Sequence, residues 1–306
     1  MASGLIARLH AEIPHASFTV VTGEAAAGLF RDTPRLDRVI VCEDAAGLKA
    51  FKLWNELKAR HWGFVLDLRG TGLAGWLRAK KRAVNKPASG GDPVHAVVEA
   101  AKLLKLEEDP PAPYLFTGEE TEAAAAQFMG RGGPVLAIAP GADWLGKAWP
   151  AERFSEVAAR LLAPDGPMAG ARLLIVGSDA DRDAARTVKF AAGKDRVLDA
   201  TGKLDPLTAY AALRQARLFV GNDGLMAHLA AAAGVPTIAL FGPSDDRASA
   251  PWGRHVRVVR GPRQFEDFLV LDPNLNQALN HMIDLTMDKV LKAARKLLAE
   301  TEPQVA

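Results

Sequence analysis

The stretch from Leu218 to Trp252 constrains the possible fold more than any other part of the chain. It reads LFVGNDGLMAHLAAAAGVPTIALFGPSDDRASAPW, which is an apolar segment, a polar turn, a helix of small residues and a second apolar segment with its own turn. Both turns follow predicted strands, and the carboxyl edge of an open α/β sheet is where ligands bind. The helix N-terminus adds free N–H groups and the positive end of a dipole. The stretch therefore predicts a parallel α/β sheet whose ligand carries phosphate.

The same alternation of strands and helices occurs twice along the chain. The two halves are separated by a proline-rich acidic segment, EEDPPAPYLF, at residues 107–116. In the first half, apolar runs at 17–22, 38–42 and 64–68 alternate with helical patterns at 4–13, 24–30, 47–60, 72–80 and 93–106. In the second half, runs at 135–139, 172–176, 196–199, 218–220, 237–241 and 256–259 alternate with helical patterns at 119–129, 150–162, 179–191, 206–215, 224–233 and 276–298. This pattern predicts two doubly wound parallel-sheet domains, residues 1–116 and 117–306, facing one cleft.

The first domain begins in an unusual way. A doubly wound domain normally starts with a strand, and the turn after that strand lies at the ligand-binding switch point. This chain starts inside a helical pattern at residues 4–13. We therefore expect the first sheet to lack its central strand and to expose two strand edges, which makes an N-terminally extended chain the more soluble one.

Composition excludes several classes of protein. Hydrophobic residues make up 49% of the 306 residues and charged residues 24%, as in soluble globular proteins. A net charge of +2 is too small to indicate nucleic-acid binding, and a single cysteine, Cys42, excludes an internal disulfide. Neither a membrane-spanning apolar run nor a signal peptide is evident. We expect a cytoplasmic protein.

Three side chains at predicted strand ends could bind an anionic ligand. Lys147 lies in PGADWLGKAWP, where it is either an ordinary exposed lysine or a counter-charge for phosphate. Asp223 is either the N-cap of the following helix or a partner for a ligand hydroxyl or a backbone amide. His228 is either a core histidine, on a face shared with Leu225 and Leu229, or a donor to phosphate. The glycines of these turns, which are Gly224, Gly234 and Gly242, could simply satisfy turn geometry.

Two aspartates form a D-x-D pattern after the strand at 172–176. Capping of the next helix would explain Asp179, and a carboxylate at this edge could also accept a hydrogen bond from a ribose hydroxyl. Nothing in the sequence has the His/Cys spacing of a metal site, and the P-loop, G-x-S-x-G and G-x-G-x-x-G motifs are missing. Asp179 and Asp181 are therefore interpreted as ligand-edge residues without a metal.

A basic run, WLRAKKRAVNK, extends from Trp76 to Lys86 with no acidic residue. Such runs are usually a solvated surface. This one could also contact anionic lipid, where each basic residue near the surface adds about 1 kcal/mol.

Four stretches resemble glycosyltransferase family 9, the heptosyltransferases of lipopolysaccharide core assembly. They are DLRG at 67–70, PGADWLGKAWP at 140–150, GNDGLMAHLAAAAGVP at 221–236 and LFGPSDD at 240–246. The resemblance implies a GT-B fold, in which two Rossmann-like domains flank a cleft and the C-terminal one holds most of the nucleotide-sugar donor. It also implies that Lys147, in its K-x-W-P context, binds donor phosphate. Asp223 and His228, five residues apart, would lie at the donor sugar and diphosphate.

The sequence departs from the family in two places. The family usually reads Asp-Ser/Thr-Gly-Leu-x-His, whereas Gly224 and Leu225 follow Asp223 here, so backbone N–H groups replace a hydroxyl donor. The family also begins with a strand and a turn similar to RLGALGD, whose aspartate is the proposed base, and nothing before Gly4 matches it. Either the start codon is misplaced or this chain lacks the base. Asp67 is a poor substitute, because strand alternation can turn it into the fold.

The resemblance therefore predicts an inverting, metal-independent transfer of a sugar from a nucleotide diphosphate donor to a lipopolysaccharide core acceptor. ADP-heptose is the donor that the resemblance implies. Two alternatives stay open: a protein that binds the donor without catalysis, and a GT-B enzyme using a UDP-sugar. The expected partners are the donor, the core or lipid A acceptor and the inner face of the inner membrane, with no cofactor and no nucleic acid. The predicted donor site comprises Lys147, Asp179, Asp181, Asp223, Gly224, Leu225, His228 and Gly242.

Overall fold

A computed structural model describes residues 1–44, 46–86, 92–275 and 279–302. The chain divides into two units, Met1–Phe116 and Thr117–Ala306. Both units are built from parallel strands connected by helices, which is the mixed α/β architecture that the alternating sequence pattern predicts. None of the helices in the described ranges combines the length and the apolar character that a bilayer span requires.

The first unit contains two separate two-stranded parallel sheets. One pairs β1 with β2 and the other pairs β3 with β4, and no strand within the described residues joins them. This is the gap expected of a doubly wound sheet whose central strand is not among these residues. The elements are α1 (Ser3–Glu12), β1 (Phe18–Thr22), α2 (Glu24–Ala27), β2 (Leu36–Val41), α3 (Gly47–Leu57), β3 (Trp62–Asp67), β4 (Ala79–Val84) and α4 (Ala96–Lys102).

The helix predicted between residues 72 and 80 is wrong. The chain makes a short 3₁₀ turn at Leu73–Trp76 and then β4, which pairs in parallel with β3. In the strand, the Arg82 guanidinium turns back and donates to the carbonyl oxygens of Ala74 and Leu77. Most of the basic run of residues 76–86 is therefore strand, not helix.

The helix predicted at residues 93–106 is shorter in the structure. It begins after His95, whose Nδ1 accepts a hydrogen bond from the backbone N–H of Val97. It ends at Lys102, and Lys105 then adopts a positive φ of 59°. A left-handed residue cannot continue a right-handed helix, so the chain turns there.

The second unit is built on one six-stranded parallel sheet with the order β10-β9-β8-β5-β6-β7. Its strands β5, β8 and β9 are buried along their whole length, because helices cover both faces of the sheet. The elements are α5 (Glu119–Met129), β5 (Val135–Ala139), α6 (Ala151–Leu162), β6 (Arg172–Ile175), α7 (Arg182–Val188), β7 (Val197–Asp199), α8 (Pro206–Leu213), β8 (Leu218–Asn222), α9 (Leu225–Ala232), β9 (Thr237–Phe241), α10 (Asp246–Ser249), β10 (Val256–Arg260), α11 (Phe265–Leu271) and α12 (Met287–Glu300).

The C-terminal segment is less helical than its sequence pattern predicts. Of the helix expected at residues 276–298, residues 276–278 lie outside the described residues, and 279–286 form no helix. α12 begins only after Thr286, whose hydroxyl accepts a hydrogen bond from the N–H of Lys289. Two short helices, α10 and α11, were not predicted. The non-helical segment at 279–286 matters because it contacts the loop that carries Lys147.

Strand order in the second sheet determines where a ligand can bind. β5 lies between β6 and β8, so the order of strands along the chain reverses between β5 and β8. In open α/β sheets the crevice at this reversal, outside the carboxyl ends of the strands, is the ligand-binding position. The loop after β5 contains Lys147 and the turn after β8 contains Asp223. The two motifs singled out in the sequence therefore meet at the switch point.

Candidate functional site

Lys147 and Asp223 form an ion pair at the switch point. The ammonium Nζ of Lys147 lies 2.8 Å from Oδ2 of Asp223, and the two side chains are only 14% and 9% exposed. A second carboxylate, Oδ2 of Asp143, lies 3.6 Å from the ammonium but is largely exposed. Lys147 is therefore not an ordinary solvated lysine. A mostly buried ion pair at the switch point of a parallel sheet is a candidate position for an anionic ligand.

Asp223 is not the N-cap of α9. Gly224 occupies the cap position, and no side chain caps the helix N-terminus. The first backbone N–H groups of α9 thus have no capping side chain, and the positive end of the helix dipole lies beside the ion pair. The cation and these N–H groups together suit a phosphate group.

Asn222 holds the loop that carries Lys147. Its Oδ1 accepts a hydrogen bond from the N–H of Trp149 at 3.1 Å, and its Nδ2 donates to the carbonyl oxygens of Pro140 at 2.9 Å and Gly141 at 3.2 Å. The residue is buried, at 2% exposure. One amide therefore ties both ends of the loop to β8. The sequence analysis missed this role, and the only available signal was an asparagine directly before Asp223 in the turn.

The segment before α12 supports the same loop from another side. Asn280 donates to the carbonyl oxygen of Ala148 at 2.9 Å, and the N–H of His281 donates to the carbonyl oxygen of Gly146 at 3.3 Å. The indole N–H of Trp149 donates to the carbonyl oxygen of Leu285 at 2.9 Å. Trp149 is therefore a buried anchor for the loop, which explains a tryptophan in a segment without regular structure. No sequence pattern linked the 280–285 segment to this loop.

Two glycines in the site are required by close packing. A Cβ on Gly242 would lie 2.3 Å from Sδ of Met282, and a Cβ on Gly146 would lie 1.9 Å from the ring of Trp144. Gly234 differs, since its φ of 77° after α9 meets the turn requirement that the sequence predicts. Gly224 has an extended backbone, and the only neighbour of a Cβ there is the carbonyl oxygen of Asn222 at 4.0 Å. A side chain would therefore fit at position 224.

Other predicted site residues lie on α9. His228 is half-buried in the first turn of the helix, and Leu225 is 42% exposed. The prediction that Leu225 belongs to the packed face is wrong, because position 225 begins the helix at the open edge of the sheet. Leu229 is buried, as expected.

The D-x-D aspartates have structural roles. The N-cap is Ser178, and Asp181 completes a capping box by accepting from the N–H of Ser178 at 2.7 Å. Asp179 is not the cap; its carboxylate pairs with the Arg182 guanidinium. Asp181 also approaches Gly141 so closely that a Cβ there would lie 2.0 Å from its Oδ1. Among the described residues, no group of three His, Cys, Asp or Glu residues is placed to hold a metal ion.

The β9–α10 loop is clamped by Arg260. Its guanidinium donates to the carbonyl oxygens of Gly242 at 2.5 Å and Ser244 at 2.8 Å, and it pairs with Asp246. Asp245 caps α10, and a hydrogen bond from Arg247 holds the pKa of its carboxyl below the ordinary value. This loop corresponds to the LFGPSDD motif, so its shape is set by side chains of the same unit.

The sequence of residues 62–273 matches the family model of glycosyltransferase family 9, the heptosyltransferases. The chain belongs to glycosyltransferase family 9. The matched range contains the switch point, the Lys147 loop and α9. The resemblance inferred from the four motifs is confirmed.

Comparisons with known proteins agree with this assignment. Lipopolysaccharide heptosyltransferase 2 of Salmonella typhimurium is 25% identical over 210 residues, which are 65% of this chain and 58% of that protein. The chain therefore spans less than two thirds of the length of that relative.

Solved structures confirm the GT-B fold. A family 9 glycosyltransferase from Veillonella parvula superimposes with a TM-score of 0.75 at 21% identity, covering 98% of this chain and 93% of that one. The ADP-heptose lipopolysaccharide heptosyltransferase II of E. coli gives a TM-score of 0.71 at 20% identity, with 99% and 95% covered.

Proposed function

We propose that this protein transfers a sugar from a nucleotide diphosphate donor to a hydroxyl of the lipopolysaccharide core. ADP-heptose is the first candidate donor, because a family member with the same fold is named for it. The observation that carries the proposal is the Lys147–Asp223 pair beside the N-terminus of α9, at the switch point of a parallel sheet. The C-terminal unit is the proposed donor unit, and the N-terminal unit is the proposed acceptor unit.

The chemistry required is stabilisation of a leaving diphosphate. The acceptor oxygen attacks the anomeric carbon with inversion, the bond from that carbon to the diphosphate oxygen breaks, and the acceptor proton passes to a base. Lys147 and the free N–H groups of α9 would meet the charge that develops on the diphosphate, a preorganised electrostatic role. His228, on the first turn of α9, is proposed as a further donor to it. No metal is needed, because these groups already supply positive charge.

Asp223 has a different proposed role. Its carboxylate lies 2.8 Å from the Lys147 ammonium and neutralises that charge. When a donor phosphate binds the Lys147 ammonium, the Asp223 carboxylate can accept hydrogen bonds from the donor sugar or from a backbone N–H. The catalytic base is not assigned. The Asp67 carboxylate accepts hydrogen bonds from the N–H groups of Arg69 and Gly70 and from the Thr71 hydroxyl, so it stabilises the turn that follows β3.

Calorimetry with ADP, an ADP-sugar and a UDP-sugar tests the donor site. We expect the ADP-sugar to bind at least tenfold more tightly than the UDP-sugar, and Lys147→Ala to weaken ADP-sugar binding tenfold or more. Lys194→Ala, which removes an exposed lysine from the same unit, is the matched control. Tighter binding of the UDP-sugar would favour the alternative donor, and the absence of binding to any of them would overturn the proposal.

A transfer assay separates the enzyme from a protein that only binds the donor. The assay supplies ADP-heptose and a truncated core acceptor and measures release of ADP. Release that depends on the acceptor supports the transferase. Donor binding without transfer supports the non-catalytic alternative.

We further propose that the N-terminal unit contacts the inner face of the inner membrane through an aromatic surface formed by Leu48, Phe51, Trp54 and Trp76. Leu48 is 81% exposed, Phe51 60% and Trp76 77%. These side chains are neighbours, because the rings of Phe51 and Trp54 lie 5.6 Å apart and the Trp54 indole donates to the carbonyl oxygen of Trp76 at 3.3 Å. Exposed apolar groups of this size mark a contact surface.

Positive charge near this surface supports an anionic bilayer as the proposed contact. The exposed side chains of Lys80 and Lys81 follow the aromatic surface along the chain, and Lys58 lies over the Trp54 ring at 4.4 Å. Cosedimentation with phosphatidylcholine vesicles, with and without phosphatidylglycerol, tests this. We expect binding only to the anionic vesicles and its loss in Phe51→Ser/Trp76→Ser, whereas Phe190→Ser, at a side chain that is 85% exposed in the other unit, leaves it unchanged. Equal loss in both variants would contradict the assignment.

A further inference from the structure

A second concentration of positive charge lies in the C-terminal unit, in a groove between β10 and α12. The cavity there has a volume of about 490 Å³ and is lined by residues of the β10 edge and of one face of α12. Hereafter it is called the β10–α12 groove. Its charged lining consists of Asp246, Arg257, Arg260, Lys289, Lys292 and Lys296.

Part of this charge is neutralised within the protein. Arg260 pairs with Asp246, and Arg257 pairs with Glu300 at 2.7 Å. Lys296 shares the same glutamate at a longer distance of 3.8 Å. Within the described part of the chain, the ammonium groups of Lys289 and Lys292 have no carboxylate in ion-pair range. The groove therefore keeps an excess of positive charge.

This excess works against the stability of α12. Lys289, Lys292 and Lys296 follow one another at spacings of three and four residues, where like charges destabilise a helix, and Asp288 and Glu300, four residues from Lys292 and Lys296, offset part of this cost. Lys289 is also the third residue of the helix, where the dipole favours an acidic side chain. The helix packs through other side chains, such as Val290, Ala294 and Leu297, so burial does not require the lysines. A function other than folding would account for them.

We propose that the β10–α12 groove binds a phosphate-bearing anion and is distinct from the Lys147 site. Its volume lies in the range of small-molecule sites, about 300–1,000 Å³. Lysine ammonium groups are point charges suited to phosphate. β10 is also the edge strand of the sheet, so one row of its backbone N–H groups has no strand partner and adds donors along the groove.

The phosphate can belong to a soluble compound or to a lipid headgroup, and both present the same chemistry to the lysines. The Arg260 guanidinium connects the groove to the donor side, because it lines the groove and also donates to the carbonyl oxygens of Gly242 and Ser244. The proposal does not depend on sugar transfer.

Pyrophosphate binding tests the groove. The titrations use Lys147→Ala as the parent protein, so that the donor site contributes little to the signal. We expect Lys289→Gln/Lys292→Gln in this parent to weaken pyrophosphate binding at least tenfold. Arg131→Gln/Lys194→Gln is the matched control, since both side chains are exposed, lie in the same unit outside the groove and together carry the same two positive charges.

A vesicle arm distinguishes the two sources of phosphate. Loss of pyrophosphate binding with unchanged binding to phosphatidylglycerol vesicles assigns a soluble ligand. Loss of vesicle binding in the Lys289→Gln/Lys292→Gln protein, beyond the loss in the control, assigns a headgroup. If neither pyrophosphate nor vesicle binding falls further than in the control, the groove is an ordinary solvated surface and the proposal is overturned.

Discussion

The position of single side chains around Lys147 decides what this site can bind. An ammonium that is 14% exposed would be costly without a partner, and Asp223 supplies one at 2.8 Å. The contact holds the Lys147 ammonium beside the turn that precedes α9.

Replacing Asn222 tests the support of the Lys147 loop. Asn222→Ala removes three hydrogen bonds and leaves buried backbone groups of Pro140 and Trp149 without a partner. An unsatisfied buried polar group costs about 1–3 kcal/mol, so we expect unfolding free energy to fall by about 2–3 kcal/mol and donor affinity to fall with it. Urea denaturation and calorimetry measure the two effects. A variant with native stability and affinity would show that Asn222 does not hold the loop.

Position 224 allows a gain of function. Gly224 has extended backbone angles and open space around a Cβ, so serine fits where the family carries Ser or Thr. The added hydroxyl can donate to donor phosphate, and one hydrogen bond contributes about 0.5–1.5 kcal/mol, which is about a two- to tenfold gain in affinity. Calorimetry with ADP measures it. Gly224→Ala lacks the hydroxyl, and an equal gain in that variant would contradict the explanation.

Asp199 makes stability depend on pH. Burial raises the pKa of its carboxyl, but hydrogen bonds from Lys189 and Thr201 lower it by more, so the pKa lies below the ordinary value. The ionised group thus stabilises the folded protein fully above its ordinary pKa, and this contribution is lost as the pH falls through the lowered one. We expect Asp199→Asn to flatten the decline of Tm between about pH 5 and pH 2. Asp195→Asn, which replaces an exposed carboxylate, should show the same decline of Tm with pH as the parent protein.

At the scale of elements, irregular segments do as much as helices and strands to build the site. The loop after β5 has only a 3₁₀ turn, Leu145–Lys147, yet it is held by Asn222 on one side and by the 280–285 segment on the other. These contacts satisfy backbone groups that regular structure would otherwise pair. The loop is therefore held to β8 and to the 280–285 segment by hydrogen bonds.

The loop depends on a glycine at position 146. A Cβ there would lie 1.9 Å from the Trp144 ring, so Gly146→Ala must displace the indole or the backbone next to Lys147. We expect donor affinity to fall at least tenfold and the tryptophan fluorescence to change. Gly193→Ala is the control, because no atom lies within 4 Å of a Cβ at that position. Unchanged affinity in Gly146→Ala would show that the loop tolerates the shift.

At the scale of the whole molecule, the two units differ in how much core they possess. The main apolar cluster of the C-terminal unit contains buried side chains of the strands and of the helices that pack on them, among them Leu136, Phe154, Leu173 and Leu240. A cluster of the N-terminal unit consists of Cys42, Leu53, Leu57 and Leu77. A continuous sheet buries strands on both faces, whereas two separate pairs leave more strand surface exposed.

This difference predicts that residues 117–306 fold alone. The unit contains its complete sheet and its own core, so we expect a single cooperative urea transition and ADP binding within about threefold of the full chain, a change below about 0.7 kcal/mol. Circular dichroism and calorimetry measure the two properties. A non-cooperative transition would show that the first unit stabilises the second.

Sequence reasoning succeeded where local chemistry controls the outcome. Largely apolar runs of three to five residues predicted all six strands of the second sheet, because a buried parallel strand is nearly continuous in apolar residues. It failed at β4, where Arg82 meets carbonyl groups of the preceding turn, and at residues 279–286, where contacts to a distant loop replace a helix. Those partners are not visible in a local pattern.

The sequence by itself determined the alternation of elements and the family, and it marked Lys147, Asp223 and His228 as candidate site residues, because each of these inferences depends on residue type and short spacing. Only the tertiary structure decided that Asp223 pairs with Lys147 instead of capping α9. The same holds for Asn222, 73 positions from Trp149, and for Asn280, 132 positions from Ala148. The physical reason is the strand order. Because β8 lies beside β5, turns that are far apart in the chain become neighbours, and the free-energy cost of burying an unpaired charge favours the Lys147–Asp223 pair.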